Sequence, residues 1–198
     1  MKRVPPNKQK TSHMSSRTKF LLLVGVFVVP VVAAYLAYFG WRPAGHKNYG
    51  DLITVTPLQQ TQGSLLDGEA FVLEQLQGKW LMLHVGPAAC DARCERQLYL
   101  MRQIRIAQGK GQSRIERVWV LTDEGVPAAR LLEEHPGMHV WRPGSASFAA
   151  QFPAPQSSSD HIYIVDPLGN LMLRFPTDPD PKGVMKDLKQ LLKASQIG

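Results

Sequence analysis

Cys90 and Cys94 are the only thiols in this 198-residue chain, and three residues separate them. On a helix that spacing sets both side chains on one face, one turn apart, with Cα atoms near 6 Å and within disulfide range. The pair can therefore bridge, or bind a ligand together. At a helix N-terminus a thiolate is stabilised by free backbone N–H groups and by the dipole. Arg93 and Arg96 add to that effect while Asp91 and Glu95 oppose it, so the local charges nearly cancel. The competing reading is a pair of buried structural cysteines, since cysteine is among the most buried residue types.

The elements needed to position this pair are legible around it. Lys79 to Val85 (KWLMLHV) is a short run of apolar and β-forming residues fenced by Gly78 and Gly86, which predicts a buried central strand. After Gly86-Pro87, apolar residues recur at Cys94, Leu98, Met101 and Ile104, which is helical spacing, and Gly109 and Gly111 end the segment. Upstream, Asp67-Gly68, flanked by Ser64-Leu65-Leu66 and Phe71-Val72-Leu73, marks a hairpin. Downstream, Arg117 to Thr122 (RVWVLT) reads as a second core strand, Pro127 to Glu134 as a short helix and His139 to Trp141 as a further strand. Phe148 to Ser159, dense in Pro, Ser and Ala, reads as irregular. Ile162 to Val165 and Leu171 to Phe175 enclose the turn DPLGN as two antiparallel strands. Asp180 and Pro181 then cap a helix with Val184, Leu188, Leu191 and Leu192 on its apolar face. The order βαβα, then a β-hairpin, then α, predicts an α/β fold: a mixed sheet with helices on both faces.

Charge and hydropathy set the domain organisation. Residues 1 to 19 hold six basic residues and no acidic one, leaving 17 basic against 16 acidic residues in the rest of the chain. The high pI thus belongs to a tail, and nucleic-acid binding is not indicated. Phe20 to Phe39 is twenty residues without a charge, enough to span about 30 Å of hydrocarbon as a helix. Tyr35, Tyr38 and Trp41 mark its far interface, and Pro30 is a kink that a membrane helix tolerates. A cleaved signal peptide would have a shorter apolar region and a small-x-small site after it, so a retained single-pass anchor is the reading. The expected divisions are a basic cytoplasmic tail (1–19), a transmembrane helix (20–39), a linker (40–59) and a folded domain (60–198). The basic flank places the N-terminus in the cytoplasm and the domain beyond the membrane, which in a bacterium is the periplasm.

With these residues in view, most of 60 to 195 resembles the thioredoxin-like superfamily and, within it, the Sco/SenC copper chaperones of cytochrome c oxidase assembly. Gly78-Lys79-Trp80 matches that family's "GKW" strand, and Gly86, Cys90 and Cys94 match its F-G-x-x-x-C-x-x-x-C motif, with Val85 where the motif has Phe. Val120-Leu121-Thr122-Asp123 resembles "SVDP", and Tyr163 through Gly169 resembles "YLIDPxG". The family's third copper ligand is a histidine in an Asp-His pair; Asp160-His161 stands three residues closer to the hairpin than that pattern has it. Asp91 replaces the proline usual after the first cysteine. The resemblance implies a divergent member with a thioredoxin-like mixed sheet and flanking helices, and a metal site of Cys90, Cys94 and His161 for Cu(I), which soft sulfur ligands select. It further implies a protein of the bacterial inner membrane that serves oxidase copper-site assembly, by Cu(I) delivery or by reducing acceptor thiols. Its partner would be an oxidase subunit or another copper or thiol carrier. In an oxidoreductase reading Cys90 attacks a target disulfide and Cys94 resolves the intermediate. The alternatives are a general thiol-disulfide oxidoreductase and a non-catalytic membrane assembly factor.

Other titratable residues take quieter expectations. His46 is read as a solvated linker residue, and His135 and His139 as solvated around Pro136-Gly137. His84 is read as a satisfied residue of the central strand. Asp123 either orients a site group or serves turn formation.

Overall fold

The computed structural model describes residues 15–40, 48–59 and 61–195. The tail up to residue 14 and the stretch 41–47, with Trp41 and His46, lie outside them. The chain divides near His46 into two units. In the first, the uncharged run forms one helix, α1 (Ser16–Gly40), with Pro30 inside it. It is long and apolar enough to cross a membrane, and none of its apolar window is buried against protein.

In the second unit, the KWLMLHV run becomes β4 (Trp80–Gly86), every residue of which is buried. A strand buried on both faces reads as a continuous apolar run and sits in mid-sheet. It lies between β5 (Ile115–Leu121), parallel to it, and β7 (Ile162–Val165), antiparallel. β5 pairs in parallel with β6 (Met138–Pro143), which is followed by the hairpin β2 (Gly63–Leu65) and β3 (Ala70–Phe71). Gly68, at φ +84°, supplies the positive φ that this hairpin turn requires. On the other side β7 pairs with β8 (Asn170–Arg174), and β8 with β1 (Asp51–Pro57). The eight strands thus run in the order β1-β8-β7-β4-β5-β6-β2-β3.

Alternation along the central strands divides the core in two. Trp80 and Met82 of β4, Trp119 of β5, and Ile162 and Ile164 of β7 face one side. There they meet α2 (Ala92–Ala107), α3 (Ala129–Glu134) and α4 (Pro181–Ala194) through Leu98, Met101, Ile104, Leu131, Val184 and Leu188. Leu81, Leu83, Val85, Val118, Val120, Tyr163 and Val165 face the other side, against Leu73, Phe148 and Phe152. The sheet is mixed and flanked by helices as expected. The expectation of α-helices on both faces is corrected: all three bury their apolar residues on one side, and short 3-10 turns at Leu73–Leu76 and Ala146–Gln151 serve the other. Parallel steps from β4 to β5 to β6 run in one direction across the sheet, so right-handed crossovers bring α2 and α3 to the same face.

Two further expectations are corrected. Residues 51–57, read as linker, form the edge strand β1. The domain reaches back further still, because Gly50 N donates to buried Asp187 at 2.8 Å and Tyr49 Oη accepts from Asp180 N at 2.7 Å. Phe148 to Ser159, read as irregular, is so only over 152–157: 3-10 turns take its two ends, and Phe148 and Phe152 are buried in the core.

Candidate functional site

β4 delivers the chain to the site and α2 carries it away. After Gly86, whose carbonyl accepts from Thr122 N at 3.2 Å, the loop reaches Asp91. Asp91 is the N-cap of α2, its carboxylate accepting from Arg93 N at 3.0 Å and Cys94 N at 2.9 Å. The bond from Cys94 N is the largest cause holding the Asp91 carboxyl below its ordinary pKa. The cap explains a difference from the sequence reading. Cys90 precedes the helix, Cys94 occupies its third position, and the two are joined as a disulfide with Cα atoms 5.3 Å apart. Cys90 is half-buried, while Cys94 is 7% exposed and belongs to the core under α2.

Asp123 fixes the loop from the neighbouring strand end, its Oδ1 accepting from Ala88 N at 3.0 Å and from Gly125 N at 3.3 Å. Of the two duties weighed for it, turn formation is the one these backbone bonds serve. Ion pairs surround the helix start. Arg93 pairs with Asp160, and Arg130 pairs with Glu95 at 2.6 Å and Glu134 at 3.0 Å.

The structure brings Cys90 and Cys94 together and leaves His161 apart from them. Asp160 is held at the start of α2 by Arg93, so the backbone of His161 is close by. Its side chain is turned away, however: the ring is 5% exposed, with Nδ1 at 2.7 Å from Phe175 O and its centroid 6.1 Å from that of Tyr163. His161 is extended (φ −128°, ψ 153°) and shares the side of Tyr163, whereas Cys94 packs on the opposite side with Ile162 and Ile164. Among the described residues, no group of three His, Cys, Asp or Glu side chains is assembled to hold a metal ion.

His84 lies on the α2 side of β4 and is fully buried. Its Nδ1 is 2.7 Å from Gln97 Oε1, and an amide oxygen only accepts, so the ring carries its proton on Nδ1. Burial lowers its pKa to about 4, against smaller opposing effects of the Gln97 bond and the Asp91 charge. Gln97 escaped the sequence reading, although a polar residue three positions after Cys94, on a helix face otherwise apolar, is a readable signal. The expectation of solvation is corrected for His135 and His139. His135 is 3% exposed, because the chain after α3 tucks inward to start β6, and its pKa is lowered by burial first and then by Arg102 and Arg117. His139 is half-buried in β6 and stacks on Phe71.

Residues 80–195 match the family model described as the transmembrane-like, thioredoxin-like C-terminal domain. Among solved structures, yeast Sco1 with copper bound superposes with a TM-score of 0.60 at 16% identity, over 76% of this chain and 96% of that one. ScoI of Bradyrhizobium japonicum with copper bound gives 0.55 at 19% identity, over 69% and 99%. A putative protein disulfide isomerase from Bacteroides thetaiotaomicron gives 0.55 at 13%, over 75% and 95%. At these identities the likeness is one of fold. No curated protein sequence matches this chain.

Proposed function

This chain belongs to the family of transmembrane-like, thioredoxin-like C-terminal domains, and from that premise we propose that it is a membrane-anchored, Sco-like thiol protein that serves copper-site assembly in a respiratory oxidase. The observation that carries the reading is the Cys90–Cys94 pair at the start of α2, one sulfur half-buried and the other in the core. That asymmetry suits division of labour in thiol exchange. The reduced pair meets a disulfide of the acceptor; Cys90 thiolate attacks one sulfur, and the other leaves as a thiolate that takes up a proton. Cys94 then loses its proton and attacks Cys90 Sγ, the mixed disulfide breaks, and the second acceptor sulfur leaves. Two electrons pass to the acceptor, which ends as a dithiol ready for metal, and this chain ends as the disulfide.

Cu(I) as cargo is the second reading, favoured by the two soft sulfur donors that reduction would expose. His161 does not face them, so of the three expected donors the two thiols stand together without the imidazole. The localisation proposed is the inner membrane of a bacterium, with the basic N-terminus cytoplasmic and the domain periplasmic.

Trapping tests the proposal. In cells, Cys94→Ser should accumulate a mixed disulfide through Cys90 to an oxidase subunit or another thiol carrier, and Cys90→Ser should not. If neither substitution traps a partner and oxidase assembly is intact in both, the chain acts as a non-catalytic assembly factor and the thiol reading falls. Cu(I) titration of the reduced chain against a competing chelator separates delivery from thiol reduction.

A further inference from the structure

One side-chain pair, His84 of β4 and Gln97 of α2, holds two polar atoms that are shut off from solvent and have no hydrogen-bond partner: His84 Nε2 and Gln97 Nε2. With the ring proton on Nδ1 by virtue of Gln97 Oε1, Nε2 is a bare acceptor. The pair fills the layer between β4 and the first turns of α2. His84 stands 6.2 Å from Trp119, ring to ring, and Gln97 lies one helical turn beyond Cys94. Nε2 points along β4 toward Gly86, where the cysteine loop begins: a Cβ built on Gly86 would stand 3.0 Å from it. Asp91, between the two cysteines, is the charged group that acts on the ring.

A buried acceptor without a donor costs more than an ordinary hydrogen bond contributes, and a native structure that keeps one calls for a reason. In this structure the two sulfurs are bonded to each other, so neither carries a hydrogen. Reduction by a dithiol donor would break that bond, add two electrons and place one proton on each sulfur, while the donor closes to its own disulfide. The Cys94 thiol would then be an S–H donor in the same layer as His84.

We propose that His84 is a positioning residue whose Nε2 accepts the hydrogen bond of the Cys94 thiol in the reduced protein, so that reduction satisfies an acceptor that the disulfide leaves unpaired. Gln97 fixes the tautomer that makes this possible. The couple is thereby made easier to reduce than a structural disulfide. The inference rests on the reading that the pair cycles between disulfide and dithiol, and on nothing about the partner.

The test is the midpoint of the full chain in detergent at fixed pH, equilibrated in thiol–disulfide buffers of graded ratio with the reduced fraction read by thiol alkylation. His84→Phe keeps a ring and removes the acceptor. It should favour the disulfide about tenfold, a midpoint about 30 mV more negative. Gln97→Leu, which releases the tautomer, should move it the same way by less. His84→Gln, which restores a side-chain acceptor, should return it toward the parent value. A histidine that only packs would lower the thermal stability of the oxidised and reduced proteins alike and leave the midpoint in place, and that result overturns the proposal. If His84→Phe does not fold, an unchanged midpoint in Gln97→Leu overturns it. An absence of trapped partners with oxidase assembly intact, alongside a shifted midpoint, would refute thiol exchange with the oxidase and leave this inference standing.

Discussion

Acid titration of His84 offers a quantitative check on the burial of this site. The imidazole is fully buried in the folded domain, and its pKa falls from 6.5 to about 4 chiefly because the cation would lose its water. Between those two values the unfolded chain binds a proton that the folded one does not, so stability rises with pH across the window. Acidification from pH 6.5 to 4 should therefore remove stability, and below pH 4 this group should take no more. At 1.36 kcal/mol per pH unit the loss comes to about 3 kcal/mol. No discount for solvent screening applies to a group with no exposed surface. The measurement is urea unfolding of the oxidised full chain in detergent, followed by tryptophan fluorescence from pH 7 to 4, beside His84→Gln. His135 and His139, lowered mainly by burial as well, contribute with the same sign in both proteins and cancel in the difference. The variant should therefore show the shallower pH dependence. Parallel curves would refute the reasoning, since they would mean that the folded domain accepts a proton at His84 as readily as the unfolded chain does.

Asp123→Ala should release Ala88 N and Gly125 N together, costing about 1 kcal/mol because neither bond is fully buried, and should speed alkylation of Cys90 in the reduced protein; an unaltered alkylation rate would mean that the loop holds its shape without the carboxylate. His161→Ala should lower stability by about 1 kcal/mol through loss of the bond to Phe175 O and leave the Cu(I) affinity of the reduced pair unchanged, whereas weakened copper binding would return the imidazole to the site. Asp91→Ala should strip the N-cap of α2 and lower the thermal midpoint, and a midpoint equal to the parent's would show that the disulfide alone secures the helix start.

What could be read from the sequence was whatever leaves a periodic or a local signature. The continuous apolar run of β4, the spacing of Leu98, Met101 and Ile104 on α2, and Asp180-Pro181 before α4 each follow from a rule that acts within a dozen residues. The cysteine pair was legible for the same reason. β1 was not, because DLITVTP sits on a sheet edge with Leu52 and Val55 exposed, pairs only with β8, and follows a glycine-rich stretch that reads as linker. Its partner lies more than a hundred residues away, and register between such segments is set by the assembled sheet rather than by either sequence.

The histidines show where sequence reading stops. The family resemblance sets His161 beside the sulfurs, and its segment, antiparallel to β4, does lie at the start of α2, with Asp160 against Arg93. A strand places neighbouring side chains on opposite faces, though, so proximity of the backbone leaves the direction of the imidazole open by a single residue of register. One step decides the matter: Ile162 faces the helix, and His161 faces Tyr163 and the Phe175 carbonyl. The same alternation sends His84 to the helix side, two residues before the glycine that ends the strand. Its significance lies in a pairing with Gln97 and in an acceptor left without a donor, and both depend on the meeting of two elements whose sequences each give an ordinary polar residue. A site built by parity and packing thus has one half written in spacing, the cysteines, and another half that exists only once β4 and α2 are in contact.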